Sequence, residues 1–415
     1  MEPQENKNRA LVPVREEKAL VQGAKSTEAT GYWGRVAARY TATWRALLLV
    51  TVLFVILFAL LFSRAFTYDS MFCFFRDLKS ASAFTPSDYS TVTPAYKEGG
   101  AFSLPYRGGV AFVSSGGVEV YTPSGERLLD VSRSLKTPRA VASRKYLVAY
   151  DNGGTTFSVT NSYTELFHGE SEYPILGAAV ADSGHFALIT TSGDALSQVL
   201  LYDSNFNLIQ RFQRASATVS VHLSEDGKRI ALLGMAAENG TVRGVLAIYR
   251  LGADEPEHAV IYENEIPLAV SFTKNKYYTV LTDARLRCYD ADGDIRADIN
   301  LQGKPTVGFA VCEDGVVLVT ETDEISATHR MLVLDEKGKT VYDGRYGRDV
   351  KALSLTGQVV YLLSDGEVVR IDTDSGEVHT IAVESGATGI FAVDEEHVRV
   401  VYPARVTYIE LARRK

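Results

Sequence analysis

The residues in this chain able to do chemistry are few, and none of them completes a motif. The tip Asp290-Ala291-Asp292-Gly293-Asp294 sets carboxylates at alternate positions, as at the opening of a calcium loop. Such a loop would continue with Gly where Ile295 stands and close with Glu where Leu301 stands, so an acidic hairpin turn is expected instead. His168, His185, His222, His258, His329, His379 and His397 are scattered, with no His-Glu-x-x-His run or His–Cys cluster at zinc-ligand spacing. Gly23-Ala24-Lys25-Ser26-Thr27 shares letters with a phosphate loop but lacks its earlier Gly and a preceding strand. No Gly-x-Ser-x-Gly elbow is present to expose a serine nucleophile. Cys73, Cys288 and Cys312 are too few for a disulfide framework. One Cys288–Cys312 bridge is the alternative to two small buried thiols, and Cys73 stands near enough to an apolar segment for acylation. The sequence therefore assigns no catalytic residue, no metal site and no cofactor.

The elements that carry these residues divide the chain unequally. Ala46 to Phe62 is a run of seventeen residues without a charge, and Thr51 is its one hydroxyl. At 1.5 Å per residue such a helix reaches roughly 25 Å, close to the ~30 Å hydrocarbon thickness of a bilayer. A transmembrane helix over 46–63 is expected, preceded by a mostly disordered tail over 1–45 with room for a short helix from Val14 to Gln22. Residues 1–45 carry eight Lys/Arg against five Asp/Glu, about +3, which leaves −11 on the remainder. The positive-inside bias puts the tail in the cytoplasm and the acidic part outside, as in a single-pass plasma-membrane protein. A cleaved signal peptide ending near Ser63-Arg64-Ala65 is the alternative, against which stand the long apolar run and the 45 residues before it.

Aromatic residues flank the apolar run. Trp33 and Trp44, with Tyr32 and Tyr40, precede it, where amphipathic rings favour the interfacial layer. Residues 64–90 read as a juxtamembrane amphipathic helix and linker. Met71, Phe72, Phe75 and Leu78 share one face there, with Arg76, Asp77 and Lys79 largely opposite. Trp33, Trp44, Phe72, Phe74, Phe75 and Arg76 are thus the candidate membrane-interface or docking residues, and the lipid bilayer is the first expected partner.

From about residue 100 the chain repeats itself. Strand–turn–strand pieces recur as EVYTPSGERLLDV (119–131), LLYDSNFNLIQRF (200–212), RCYDADGDIRADI (287–299), LVLDEKGKTVYDG (332–344) and VRIDTDSGEVHTI (369–381). A second corner recurs as AAVADSGHFALIT (178–190), VSVHLSEDGKRIALL (219–233) and VGFAVCEDGVVLVT (307–320). Gly at the tips supplies the positive φ of tight hairpins, and period-two alternation marks the strands. Units fall near 100–131, 138–171, 175–215, 217–264, 266–302, 305–346, 349–384 and 387–412, a mean step of 41 residues. That period with four short strands per unit is the spacing of a propeller blade. The expected fold over 91–415 is all-β, a β-propeller of about eight four-stranded blades, with seven as the alternative. The last unit stops after three strands, and Ser90 to Tyr96 is strand-like and available to complete it, which would remove the ring's open edges.

The tyrosine-aspartate hairpins resemble those of the WD40-like and quinoprotein-like propeller superfamilies. The order of single helix, FTYDSMFCFFRDLKSASAF (66–84) and repeats resembles the uncharacterised single-pass, membrane-anchored propeller proteins of Gram-positive bacteria. The resemblance implies the fold and an envelope location. It carries over no active-site residue, because no Trp follows Trp44, no Trp-Asp pair marks the blades, and a Gly-His pair occurs once only, at Gly184-His185.

Composition narrows the function classes. The whole chain is 46% hydrophobic and 23% charged, an ordinary globular composition, and the part after the apolar run is long enough to bury a core. Its acidic balance, with no basic stripe interleaved with aromatics, argues against nucleic acid as a partner. The expected function is a binding or scaffold module at the cell envelope that presents loops to a protein, peptide or glycan. The alternatives are an extracytoplasmic enzyme using the central channel, such as a lyase or glycan hydrolase, and a sensor signalling through the N-terminal tail.

Overall fold

Val14–Leu61 forms one continuous helix of 48 residues, α1. The computed structural model describes residues 14–61, 91–95 and 102–411, except 123–124, 239, 275–276, 302 and 324–327; within α1 it describes side chains at 31–32 and 34–57. The helix starts well before the apolar run and includes the Val14 to Gln22 segment. Ala, Arg, Glu, Lys and Gln make up half of residues 14–45, and no Pro occurs between Pro13 and Pro86. Extending an existing helix also needs no new nucleus. The hydroxyl of Thr51 donates to the carbonyl of Leu47 at 2.9 Å, so the run's one polar side chain is satisfied within the helix. Every residue from 34 to 57 is exposed, so its Leu, Val and Phe find no core within the described protein. The expected juxtamembrane helix, with Phe72, Phe74, Phe75 and Arg76, lies outside the described residues, as does Cys73.

Phe84–Lys415 forms a second compact unit. It contains eight antiparallel sheets in chain order: β1–β4 (102–132), β5–β8 (138–170), β9–β12 (175–214), β13–β16 (217–263), β17–β20 (267–300), β21–β24 (306–346), β25–β28 (352–382) and β29–β31 (389–410). These are blades 1 to 8 of a β-propeller, within a few residues of the repeats read from the sequence. Eight blades are present, not seven. Middle strands such as β6 (Leu147–Asp151) and β26 (Val359–Ser364) are buried at every residue, because both their faces pack against neighbouring blades. Outer strands such as β28 (Val378–Ala382) alternate exposed with half-buried side chains.

The core is divided into eight buried clusters, and each joins two adjacent blades. The eighth closes the circle: Val92, Phe391 and Val406 pack with Val110, Phe112 and Tyr121 of blade 1. Val92 pairs antiparallel with Val406 in β31, exchanging backbone hydrogen bonds of 2.8 and 2.9 Å. It therefore stands where a fourth strand completes blade 8, as its alternation suggested. Three residues after it on the chain's way to blade 1, the Ala95 N–H donates to the Glu119 carboxylate at 3.0 Å, and Glu119 is buried within blade 1. Arg399 of blade 8 adds a hydrogen bond from Nη2 to the carbonyl of Gly108 in blade 1, at 3.3 Å.

The recurrent aspartates have a shared structural role. Asp203, Asp290 and Asp335 each accept backbone N–H bonds of 2.8–3.0 Å from residues two and four positions on, and Asp372 accepts bonds of 3.2 and 3.0 Å from residues two and three positions on. Each caps the turn from the third strand to the fourth, as Asx turns do. Asp290 additionally pairs with Arg296, so the acidic tip is a hairpin cap.

A nearly buried ion pair supports the junction of blades 4 and 5. Glu265 accepts bonds from Arg287 Nη1 (2.7 Å), Arg287 Nη2 (2.6 Å) and the Thr282 hydroxyl (2.7 Å). The Arg287 guanidinium lies over the Tyr262 ring at 4.9 Å. That guanidinium holds the Glu265 carboxyl below the usual glutamate range, so the pair's contribution is present at neutral pH and fades as pH falls through the folded pKa. Two outcomes are expected. Val92→Asp places an unpaired charge at a 2% exposed closure site and should cost about 2 kcal/mol or more in denaturant unfolding of the full chain, with Val92→Thr costing less. Glu265→Gln should lower the denaturation midpoint at pH 7, with the gap to wild type narrowing at pH 3.5; a gap independent of pH would contradict the assignment.

Candidate functional site

The turns joining first to second strands converge on one end of the ring's central channel. In blade 1 this turn is Arg107-Gly108, both at positive φ (51° and 72°), between β1 (Phe102–Tyr106) and β2 (Gly109–Ser114). Two positive-φ residues form the tightest hairpin link. The following Gly109 is required by crowding, since a Cβ there would meet the Tyr121 carbonyl oxygen at 2.0 Å. Corners from seven of the eight blades line a cavity of about 520 Å³ at this mouth. Its walls include Phe272 and Phe391, and its rim is charged.

One arginine dominates that rim. The Arg144 backbone N–H donates to Asp182 Oδ1 at 2.7 Å, and its Nε donates to Asp182 Oδ2 at 2.5 Å. Its Nη2 meets the Glu225 carboxylate, and its Nη1 lies 3.4 Å from Glu313 Oε1. Arg144 belongs to blade 2, and the three acids to the corners of blades 3, 4 and 6. Asp182 is 12% exposed, against 49% and 43% for Glu225 and Glu313.

Polar side chains of the inner strands tie blade 4 to blade 5 and blade 7 to blade 8. Ser220 accepts the Val270 N–H at 3.3 Å, and Ser354 accepts the Ala392 N–H at 3.0 Å. His222 Nδ1 accepts the Phe272 N–H at 3.3 Å, which leaves the ring proton on Nε2. Burial pushes the His222 imidazole down to about 4, so it is neutral at physiological pH. Cys312 lines the mouth as a free thiol, pushed up by burial. Cys288 is also free, and burial pushes it up to about 12. The two occupy different blades, on β19 (Arg285–Tyr289) and β21 (Thr306–Cys312), so the alternative of a bridge is corrected to two unlinked thiols.

The opposite end of the channel has a different character. Inner strands of blades 3, 4, 5 and 6 each carry a register shift that leaves one residue unpaired: Leu176, Val219, Leu268 and Val307. The first three are 49%, 43% and 42% exposed. Inner strands of blades 1, 2, 7 and 8 pair without such a shift. Bulges of this kind re-aim side chains, and here they form an apolar arc over half the ring.

Of the residues expected at a membrane or docking face, Trp44 is exposed on α1. The Trp33 side chain and Phe72, Phe74, Phe75 and Arg76 lie outside the described residues. The mouth acids were not singled out in the sequence, although a signal exists. Asp182, Glu225 and Glu313 each stand two residues before the Gly of the recurring corner, in ADSG, SEDG and CEDG. Aligned corners thus carry an acid ring, and Arg144 follows the inner strand of blade 2 at the corresponding place.

Solved structures share this fold. Sqt1 of Chaetomium thermophilum, bound to the N-terminus of the ribosomal protein L10, is similar at 15% identity and a TM-score of 0.52, covering 77% of this chain and 100% of that one. A eukaryotic initiation factor is similar at 14% identity and a TM-score of 0.52, over 80% and 92% of the two chains. Apo AztD from Citrobacter koseri matches at 12% identity and a TM-score of 0.50, over 76% and 90%. At these identities the likeness shows the fold alone. No curated protein matches the chain in sequence. A family model does match, over residues 84–411, the whole propeller with its closing strand; the chain belongs to the Family of unknown function (DUF5711).

Proposed function

We propose that this chain is a membrane-anchored, extracytoplasmic propeller that serves as a binding and scaffold module at the cell envelope, with the charged channel mouth as its contact surface. The observation that carries the reading is the cavity itself. Corners of seven blades meet there around about 520 Å³, on a ring whose blade-to-blade cores hold them in place. Corner loops on a closed scaffold can vary in sequence without disturbing the cores, which is how rigid folds host binding sites. One similar propeller, Sqt1, is bound to the N-terminus of a ribosomal protein, which supports a peptide segment as the class of occupant.

The anchor reading rests on α1. Gly34–Leu57 is long and apolar enough to cross a bilayer, and its side chains find no protein core. A signal sequence passes the same test of length and composition. Three features favour the uncleaved anchor: the length of the preceding helix, Arg35, Arg39 and Arg45 on that side, and the acidic balance of the remainder. Trp33 and Trp44 fit the cytoplasmic interface, and Phe72, Phe74, Phe75 and Arg76 fit an outer one.

Two measurements test this reading. A reporter placed before Met1 should register the cytoplasm and one after Lys415 the outside; the reverse, or loss of the N-terminal reporter by cleavage, overturns the topology. A photo-crosslinking residue at Lys145 or Lys274, on the mouth corners, should yield a discrete crosslinked partner in cells. Val341 and Val378, exposed on outer strands, should not. Equal yields from all four positions would remove the mouth as the contact surface.

A further inference from the structure

In a ring of eight, blades 2 and 6 stand opposite each other, so the contact from Arg144 to Glu313 bridges the mouth across its axis. Arg144 also joins blades 3 and 4 through Asp182 and Glu225. One guanidinium thus satisfies carboxylates drawn from three blades, separated by up to 131 residues of chain. We propose that Arg144 is a built-in occupant of a cation cage, and that a guanidinium or ammonium group of a basic partner segment displaces it and takes its place.

Three features support exchange over a permanent strut. Without a cation, Asp182, Glu225 and Glu313 would crowd three negative charges into one mouth, so the cage demands an occupant. The Arg144 side chain is 60% exposed, and exposed ion pairs add little net stability because solvent and lost side-chain entropy offset the attraction. Substituting one cation for another therefore costs little. The best-fixed acid, Asp182, is held by the Arg144 backbone N–H as well as by its side chain, so it stays in position when the side chain leaves.

Two cations beside the mouth are committed elsewhere. Arg107 donates to the Arg144 carbonyl at 3.1 Å and to Ser162 Oγ at 2.9 Å. Lys274 pairs with Asp314. Neither can neutralise the cage without breaking its own contacts. Behind the acids, Phe272 and Phe391 line the cavity and provide apolar surface for the stem of a long cationic side chain.

This inference rests on the mouth being the contact surface. The probe is agmatine, a guanidinium with a flexible stem, titrated calorimetrically into the full-length chain in detergent and followed by thermal shift. Arg144→Ala should lower the thermal midpoint at low salt, and millimolar agmatine should restore it. Agmatine should bind Arg144→Ala at least tenfold more tightly than wild type. Adding Glu225→Gln and Glu313→Gln should abolish the rescue, and 0.5 M salt should weaken it. Arg144→Gln, which keeps the length of the side chain, replaces the alanine variant if that one fails to fold. Equal agmatine affinity in wild type and variant, or rescue that survives loss of the carboxylates, overturns the cage. Mouth crosslinks that persist under that outcome would sink the cation cage alone, whereas their absence would sink the mouth as well.

Discussion

An open stack of eight blades would leave one unpaired sheet edge and two bare apolar faces. The pairing of Val92 with Val406 covers the edge, and the cluster of Val92, Val110, Phe112, Tyr121, Phe391 and Val406 covers the faces. The strand that does this comes from the amino-terminal side of the propeller, so the two ends of the domain are held together. Glu119, accepting from the Ala95 N–H, and Arg399, donating to the Gly108 carbonyl, reinforce the seam. Once the seam is shut, the middle strands of blades 1 and 8 also have a neighbour on both faces, and the uniform burial of β2 follows.

Closure separates what holds the ring from what the ring can present. The eight cores use the interior of each blade, and the turn aspartates satisfy backbone at the corners. This leaves the two channel mouths free to differ. At one mouth, corner acids surround Arg144. At the other, bulges in three consecutive blades expose Leu176, Val219 and Leu268. A charged end and an apolar end on one rigid body give a binding module two chemically distinct faces.

Much of the fold was legible because its causes are local. Runs such as VVYLLS mark strands buried on both sides, and Asp-x-x-Gly turns mark the hairpins, so the period of about 41 residues emerges without long-range information. The incomplete last blade was legible for the same reason, since Val92 lies in an alternating segment. The Arg144 cage was not, because each acid looks like an ordinary turn residue until the ring places four corners around one point. The reach of α1 to Val14 also escaped a reading based on hydropathy. Residues 14–45 have no apolar stripe, and their helix rests on propensity and continuity with the apolar run. Cys288 and Cys312 are the two unlinked thiols that their small number favoured over a bridge.

On the function proposed above, the closed ring is a platform whose charged mouth meets a partner. Hydrogen–deuterium exchange of the full-length chain, in its native membrane and again after purification, tests this most directly. The account predicts protection at the mouth corners, residues 105–109, 142–146, 182–185, 223–228, 271–274 and 311–315, that is lost when the chain is purified away from its partner. Protection that changes only on the outer strands or at the apolar mouth, with these corners unaltered, would contradict it.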